Sequence, residues 1–208
     1  MFSNEKTKTV FLRLADVSLG VVLVVVGGTV GPGLSPFVQS TQMARAAIPA
    51  PDGACQVLID AFGKTLTLPV HSYFTHTGTD GKTTTMEDIF VDGVAYVPVR
   101  GKWFRMPLSS MDTKDLTQLS LKEAKNLSCR ALRDESVNGE SATIYSVHSE
   151  DDRGVHDALV WISKSKGVLL REETDAQKPG QSGKSHVSVR FDYNNVQAPK
   201  VSEPLPHS

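Results

Sequence analysis

The stretch Glu87-Asp88-Ile89-Phe90-Val91-Asp92-Gly93-Val94-Ala95-Tyr96-Val97 sets the fold class. Two short runs rich in β-branched and aromatic residues flank Asp92-Gly93, a dipeptide that favours the tight two-residue turn of a hairpin. On the N-terminal side, residues 72–77 read as a strand, Thr79-Asp80-Gly81 as a turn and 83–91 as the returning strand. On the other side, Gly101 turns the chain from residues 94–99 into 102–106, where Trp103 and Phe104 sit. Strands joined by connections this short must run antiparallel.

Residues 108–127 break the rhythm. They are polar, with Met111, Leu116, Leu119 and Ala124 at loosely helical steps, and read as a short helix or a lid-like loop. Strands resume at 129–133, 142–149, 155–162, 168–174 and 185–193, with Asn138-Gly139 as another turn. Ahead of the first strand, Asp52 can cap a helix whose Ala54, Val57, Leu58, Ala61 and Phe62 share one face, and Gly63 is expected to end it. The expected fold is mainly β (α+β): about nine antiparallel strands in one curved meander, an unclosed β-barrel. The N-terminal helix and the mid-chain helical or lid segment are expected to pack on its concave face.

The N-terminus predicts a destination. Lys6, Lys8 and Arg13 precede an apolar run from Val17 to Val30, and Ala44-Arg45-Ala46 offers a small-residue cleavage site. That order is the layout of an export signal, so residues 1–46 are expected to be removed, leaving a single domain over 47–199 and a disordered tail over 200–208. Export implies a periplasmic or secreted protein. The alternative is an uncleaved segment tethered to the inner membrane, but the apolar run is shorter than the roughly 20 residues that span a bilayer. Lipidation of Cys55 is disfavoured because Asp52 stands where an aliphatic residue is needed.

Composition narrows the partners. The part after residue 46 holds 18 basic and 21 acidic residues, a net charge of −3, without a basic cluster. Nucleic acid and anionic membrane surfaces are therefore not expected as partners. Two cysteines in an exported chain read as a disulfide between Cys55 and Cys129.

Motifs that suggest chemistry fail on inspection. Gly63-Lys64-Thr65, Gly81-Lys82-Thr83 and Gly183-Lys184-Ser185 resemble phosphate loops, but Leu58, His76 and Lys178 occupy the position where such a loop needs its first glycine. His71 and His76, five apart on a strand, fall on opposite faces. His148, Glu150, Asp151, Asp152 and His156 could gather round an ion, yet residues 151–154 read as a solvated hairpin loop. No nucleophile-elbow pattern occurs. No catalytic residue, metal or cofactor is expected.

Four blocks carry a family resemblance: residues 87–97 continued by Gly101-Lys102-Trp103-Phe104-Arg105, Cys129 with 135–145, 161–171, and Phe191-Asp192-Tyr193-Asn194-Asn195 running on to Pro199. Together they resemble uncharacterised exported bacterial proteins related in layout to the LolA/LolB-like periplasmic lipoprotein carriers. The resemblance implies an unclosed barrel wrapped over helices, with a hydrophobic cavity for acyl chains. The carriers' functional arginine has no matching motif here.

These readings lead to a non-enzymatic, monomeric periplasmic binding protein for a lipid-like ligand or a lipidated protein. The alternative is a cell-envelope structural or interaction module with a filled core, and an envelope hydrolase ranks third. Alternation puts Val187, Val189 and Phe191 on one face of their strand and Leu159 with Trp161 on one face of a neighbour. With Leu58 and Phe62 from the helix, these are the expected cavity-lining residues.

Overall fold

The computed structural model describes residues 53–107 and 126–201. The expected export signal, most of the mid-chain segment and the end of the tail lie outside the described residues. Within them one helix, α1 (Gly53–Thr65), precedes nine strands. These are β1 (Val70–Thr77), β2 (Thr83–Val91), β3 (Val94–Val99), β4 (Lys102–Pro107), β5 (Ser128–Val137), β6 (Glu140–Asp151), β7 (Gly154–Ser163), β8 (Leu169–Gln177) and β9 (Ser185–Asp192). The helix runs through Gly63 to Thr65 rather than ending at the glycine. A glycine in the last turn costs only about 1 kcal/mol, and the end is instead made by Thr67, whose N–H and hydroxyl both donate to the Lys64 carbonyl at 3.0 and 2.8 Å.

Both hairpin dipeptides behave as their chemistry requires. Asp92 and Gly93 have φ of 52° and 75°, and Asn138 and Gly139 of 52° and 84°. Those left-handed pairs match the twist of the flanking strands.

All nine strands form one antiparallel sheet in the order β4-β3-β2-β1-β9-β8-β7-β6-β5. The sheet is mainly β, open and unclosed, as expected, but its order is not a plain meander. β4 and β5, consecutive in sequence, stand at opposite edges, and the first strand pairs with the last, Phe74 opposite Val189. Both edges are guarded. β5 bulges between Ala131 and Arg133 and carries exposed Arg130, Arg133, Asp134 and Glu135, while Val201 forms a parallel bridge with Trp103 on β4.

Register assigns the faces. On the helix side, Cys129, Val147, Ala158, Thr174, Val187 and His76 fall in one transverse row, and Tyr145, Val160, Glu172, Val189, Phe74 and Met86 in the next. The main apolar cluster unites Ala61 of α1 with Phe74, Val160, Ile162, Leu169, Val187, Val189 and Phe191, and Leu58 and Phe62 pack against it. A second cluster, Ala142, Ile144, Trp161, Val168 and Leu170, forms around the other face.

Candidate functional site

The helix lies across the sheet and is fixed at both ends. In its first turn Cys55 is bonded to Cys129 on the edge strand β5, with the Cα atoms 5.1 Å apart. This pairing fits an oxidising compartment. At its last turn Lys64 donates to the Lys166 carbonyl at 2.5 Å, and Thr65 Oγ1 accepts from the Leu169 N–H at 3.0 Å. The Tyr193 hydroxyl, 3.2 Å from Thr65 Oγ1, donates to the Leu169 carbonyl at 2.6 Å, and burial pushes its pKa up. A 13-residue helix is about 20 Å long, enough to cross the strands from β5 to β8 at about 4.8 Å each.

Beyond the helix, the same face of β2–β4 continues as an apolar strip. Met86 is exposed at 39%, and Phe90, Val97 and Phe104 are half-buried. Register aligns them: Phe74 faces Met86, Phe90 faces Ala95, and Val97 faces Phe104. Asp88 sits in this strip opposite buried Ser72, and desolvation raises its pKa to about 6. Deeper, Glu172 stands between Val160 and Val189 at 6% exposure. It accepts from Thr174 Oγ1 at 2.9 Å, and burial raises its pKa to about 7.

Of the residues expected to line a cavity, Leu58, Phe62, Val187, Val189 and Phe191 come together on the helix side. Leu159 and Trp161 do not. They lie on the opposite face, and Val160 and Ile162 take the helix-side positions of β7. Residues 159–162 are apolar on both phases, so alternation within the strand could not choose between them, and the register shift at Trp161/Ile162 adds to the ambiguity.

The opposite face holds an open groove of about 650 Å³ whose lining includes Arg130, His148, Asp157, Asp175 and His186. His148 Nδ1 bonds Asp157 at 2.8 Å, and His186 Nδ1 bonds Asp175 at 2.8 Å. The Asp157 bond also raises the His148 pKa. His71 bonds Glu87 at 2.8 Å and Tyr73 at 3.0 Å. Among the described residues none of these three imidazoles is bonded to a serine. Asp151 turns instead to Arg153 and His156, and among the described residues no three His, Cys, Asp or Glu side chains gather to hold a metal ion. Sequence reading passed over Glu172 and Asp88, and the only hint was a carboxylate at a helix-side position of an alternating strand.

The class defined by this geometry is an open antiparallel sheet with a helix clasped across one face and an apolar strip beside it. No protein-family model and no curated protein matches the sequence. Solved structures similar to the chain include LprF from Mycobacterium bovis, at 13% identity over 71% of this chain and 96% of that one, with a TM-score of 0.41. Mycobacterium tuberculosis lipoprotein LppX is 15% identical over 68% and 99%, with a TM-score of 0.39. MucB in complex with MucA(peri) is 15% identical over 70% and 60%, with a TM-score of 0.38. At these identities and TM-scores the likeness brings no ligand or partner to this chain.

Proposed function

We propose that the chain is a non-enzymatic, monomeric binding protein of the periplasm or secreted space, exported by a cleaved signal over residues 1–46. Its ligand is apolar, an acyl chain of a lipid or of a lipidated protein. The acyl chain lies on the helix-side face beside α1, against the strip of Met86, Phe90, Val97 and Phe104. Leu58, Phe62, Val187, Val189 and Phe191 form the wall behind it. The supporting observation is the strip itself: apolar side chains continue along this face past the helix, and Met86 among them stays exposed at 39%. Water-exposed apolar area arranged in line, rather than scattered, marks binding surfaces.

A fluorescent fatty-acid probe titrated into the delipidated full chain tests this. Saturable binding is expected, weakened about tenfold or more by Met86→Asp, because a charge placed against the acyl chain must be desolvated. A wild-type protein that binds no apolar probe overturns the reading.

A second reading keeps one supporting observation. Beneath the helix the packing is tight, with Val189 at 0% and Ala61 at 2% exposure, as in an envelope interaction module whose core is its own. Native mass spectrometry of protein taken from its own compartment separates the two, because a retained lipid adds a discrete mass.

A further inference from the structure

The face turned away from α1 carries a row of side chains that acyl binding leaves unused. Trp161, Arg171, Arg190 and Tyr73 stand directly opposite one another on β7, β8, β9 and β1. The Arg171 guanidinium carbon lies 4.8 Å from the centre of the Trp161 ring, and that of Arg190 lies 4.2 Å from the Tyr73 ring. Each cation therefore leans outward over its own aromatic partner, away from the other.

Like charges placed directly opposite on neighbouring strands oppose pairing by roughly 0.2–1 kcal/mol. Arg171 offsets this with Glu173, to which its Nη2 donates. Arg190 is exposed, and among the described residues its contact is the Tyr73 ring rather than a carboxylate. Beneath Arg171, Trp161 is only 4% exposed and its indole Nε1 has no acceptor among the described residues. A buried donor left unsatisfied carries a desolvation cost that an incoming acceptor can recover. Of the other charged side chains near Arg190 on this face, Glu87 is bonded to His71 at 2.8 Å, and Asp192, opposite His71, accepts from the Asn194 N–H and Nδ2 at 2.9 and 3.0 Å.

We infer that Arg171 and Arg190 form a binding site for a phosphate group on this face. Both guanidinium forks offer paired N–H donors that fit a tetrahedral oxyanion, and a dianion held between the two strands draws Arg171 and Arg190 from their separate rings toward one another. Phosphate takes Arg190 directly and competes with Glu173 for Arg171. The site is a point of recognition on a slightly acidic chain, not a basic surface. It is independent of the acyl ligand proposed for the other face.

The group could reach the site as free phosphate or as a phospholipid headgroup. The chain has two tryptophans, Trp103 and Trp161, so Trp103→Phe leaves Trp161 as the sole reporter beside Arg171. This protein is titrated in parallel with inorganic phosphate, with phosphatidylcholine vesicles containing phosphatidic acid, and with phosphatidylcholine vesicles alone, reading indole fluorescence and heat. A saturable response that weakens with salt is expected, together with a loss of about tenfold or more in Arg190→Ala and a smaller loss in Arg190→Lys. A response to inorganic phosphate identifies the free ion as the source. A response confined to the phosphatidic acid vesicles identifies the headgroup. Arg190 is exposed, so circular dichroism should find both variants folded. Absence of any response, or equal affinity in folded Arg190→Ala, overturns the inference.

Discussion

The hydroxyl oxygen of Thr65, at the end of α1, accepts a hydrogen bond from the main-chain N–H of Leu169, 104 residues away in sequence, at 3.0 Å. Thr65 is 1% exposed, and with the Tyr193 hydroxyl and the Leu169 carbonyl it closes a small polar triangle that pins the helix to β8. Thr65→Val should cost roughly 1–3 kcal/mol in urea denaturation, because the Leu169 N–H is then left unsatisfied. Tyr193→Phe should cost less, and the double variant less than the sum.

Glu172 gives the molecule a defined pH response. Its folded-state pKa is raised to about 7 from an ordinary 4.5, so between those values the folded form binds more protons than the unfolded form. Stability should therefore fall as pH rises through that window and level off above it. Glu172→Gln removes the ionising group and should be more stable than wild type at pH 8, by roughly 3 kcal/mol at most. At pH 4 the two should converge. Denaturation at the two pH values checks this, and Asp88, shifted up to about 6, adds a smaller slope of the same sign.

The disulfide should be quantitative. Thiol titration of the unfolded, unreduced protein is expected to find none. Replacing both Cys55 and Cys129 by serine should lose about 4 kcal/mol on the chain-entropy estimate for a separation of 74 residues. The helix should then show faster amide exchange at its first turn than at Thr65, because the latter keeps its separate anchors.

Trp161 separates the two faces experimentally. It belongs to the second apolar cluster, so Trp161→Ala should cost about 3–5 kcal/mol as a filled-core residue. Under conditions where the variant remains folded, its affinity for the fatty-acid probe should equal that of wild type. A selective loss of probe binding would instead mean that the acyl ligand reaches this face.

Local chemistry made much of this fold readable. Asp92-Gly93 and Asn138-Gly139 announce their hairpins because few other pairs tolerate two successive positive φ values. Val187, Val189 and Phe191 show their buried phase because the intervening residues are polar, with Ser188 half-buried and Arg190 exposed. The run 159–162 has no such contrast, and the wrong phase follows. Pairing of β1 with β9 was invisible for a different reason, since nothing in either strand specifies a partner more than a hundred residues away. The raised carboxyls were equally hidden: their shifts arise from neighbours on adjacent strands, not from their own sequence context.

That first-to-last pairing also governs when the protein can fold. Synthesis from the N-terminus delivers β1 early and β9 last, and β1 occupies an interior place in the sheet only once β9 has arrived. Until then β1 and β8 are both bare, hydrogen-bond-hungry edges. Helix docking must also wait, because Leu169 and Tyr193 are late arrivals. Such high contact order slows folding. It also makes any fragment cut before residue 185 an aggregation hazard rather than a smaller working unit.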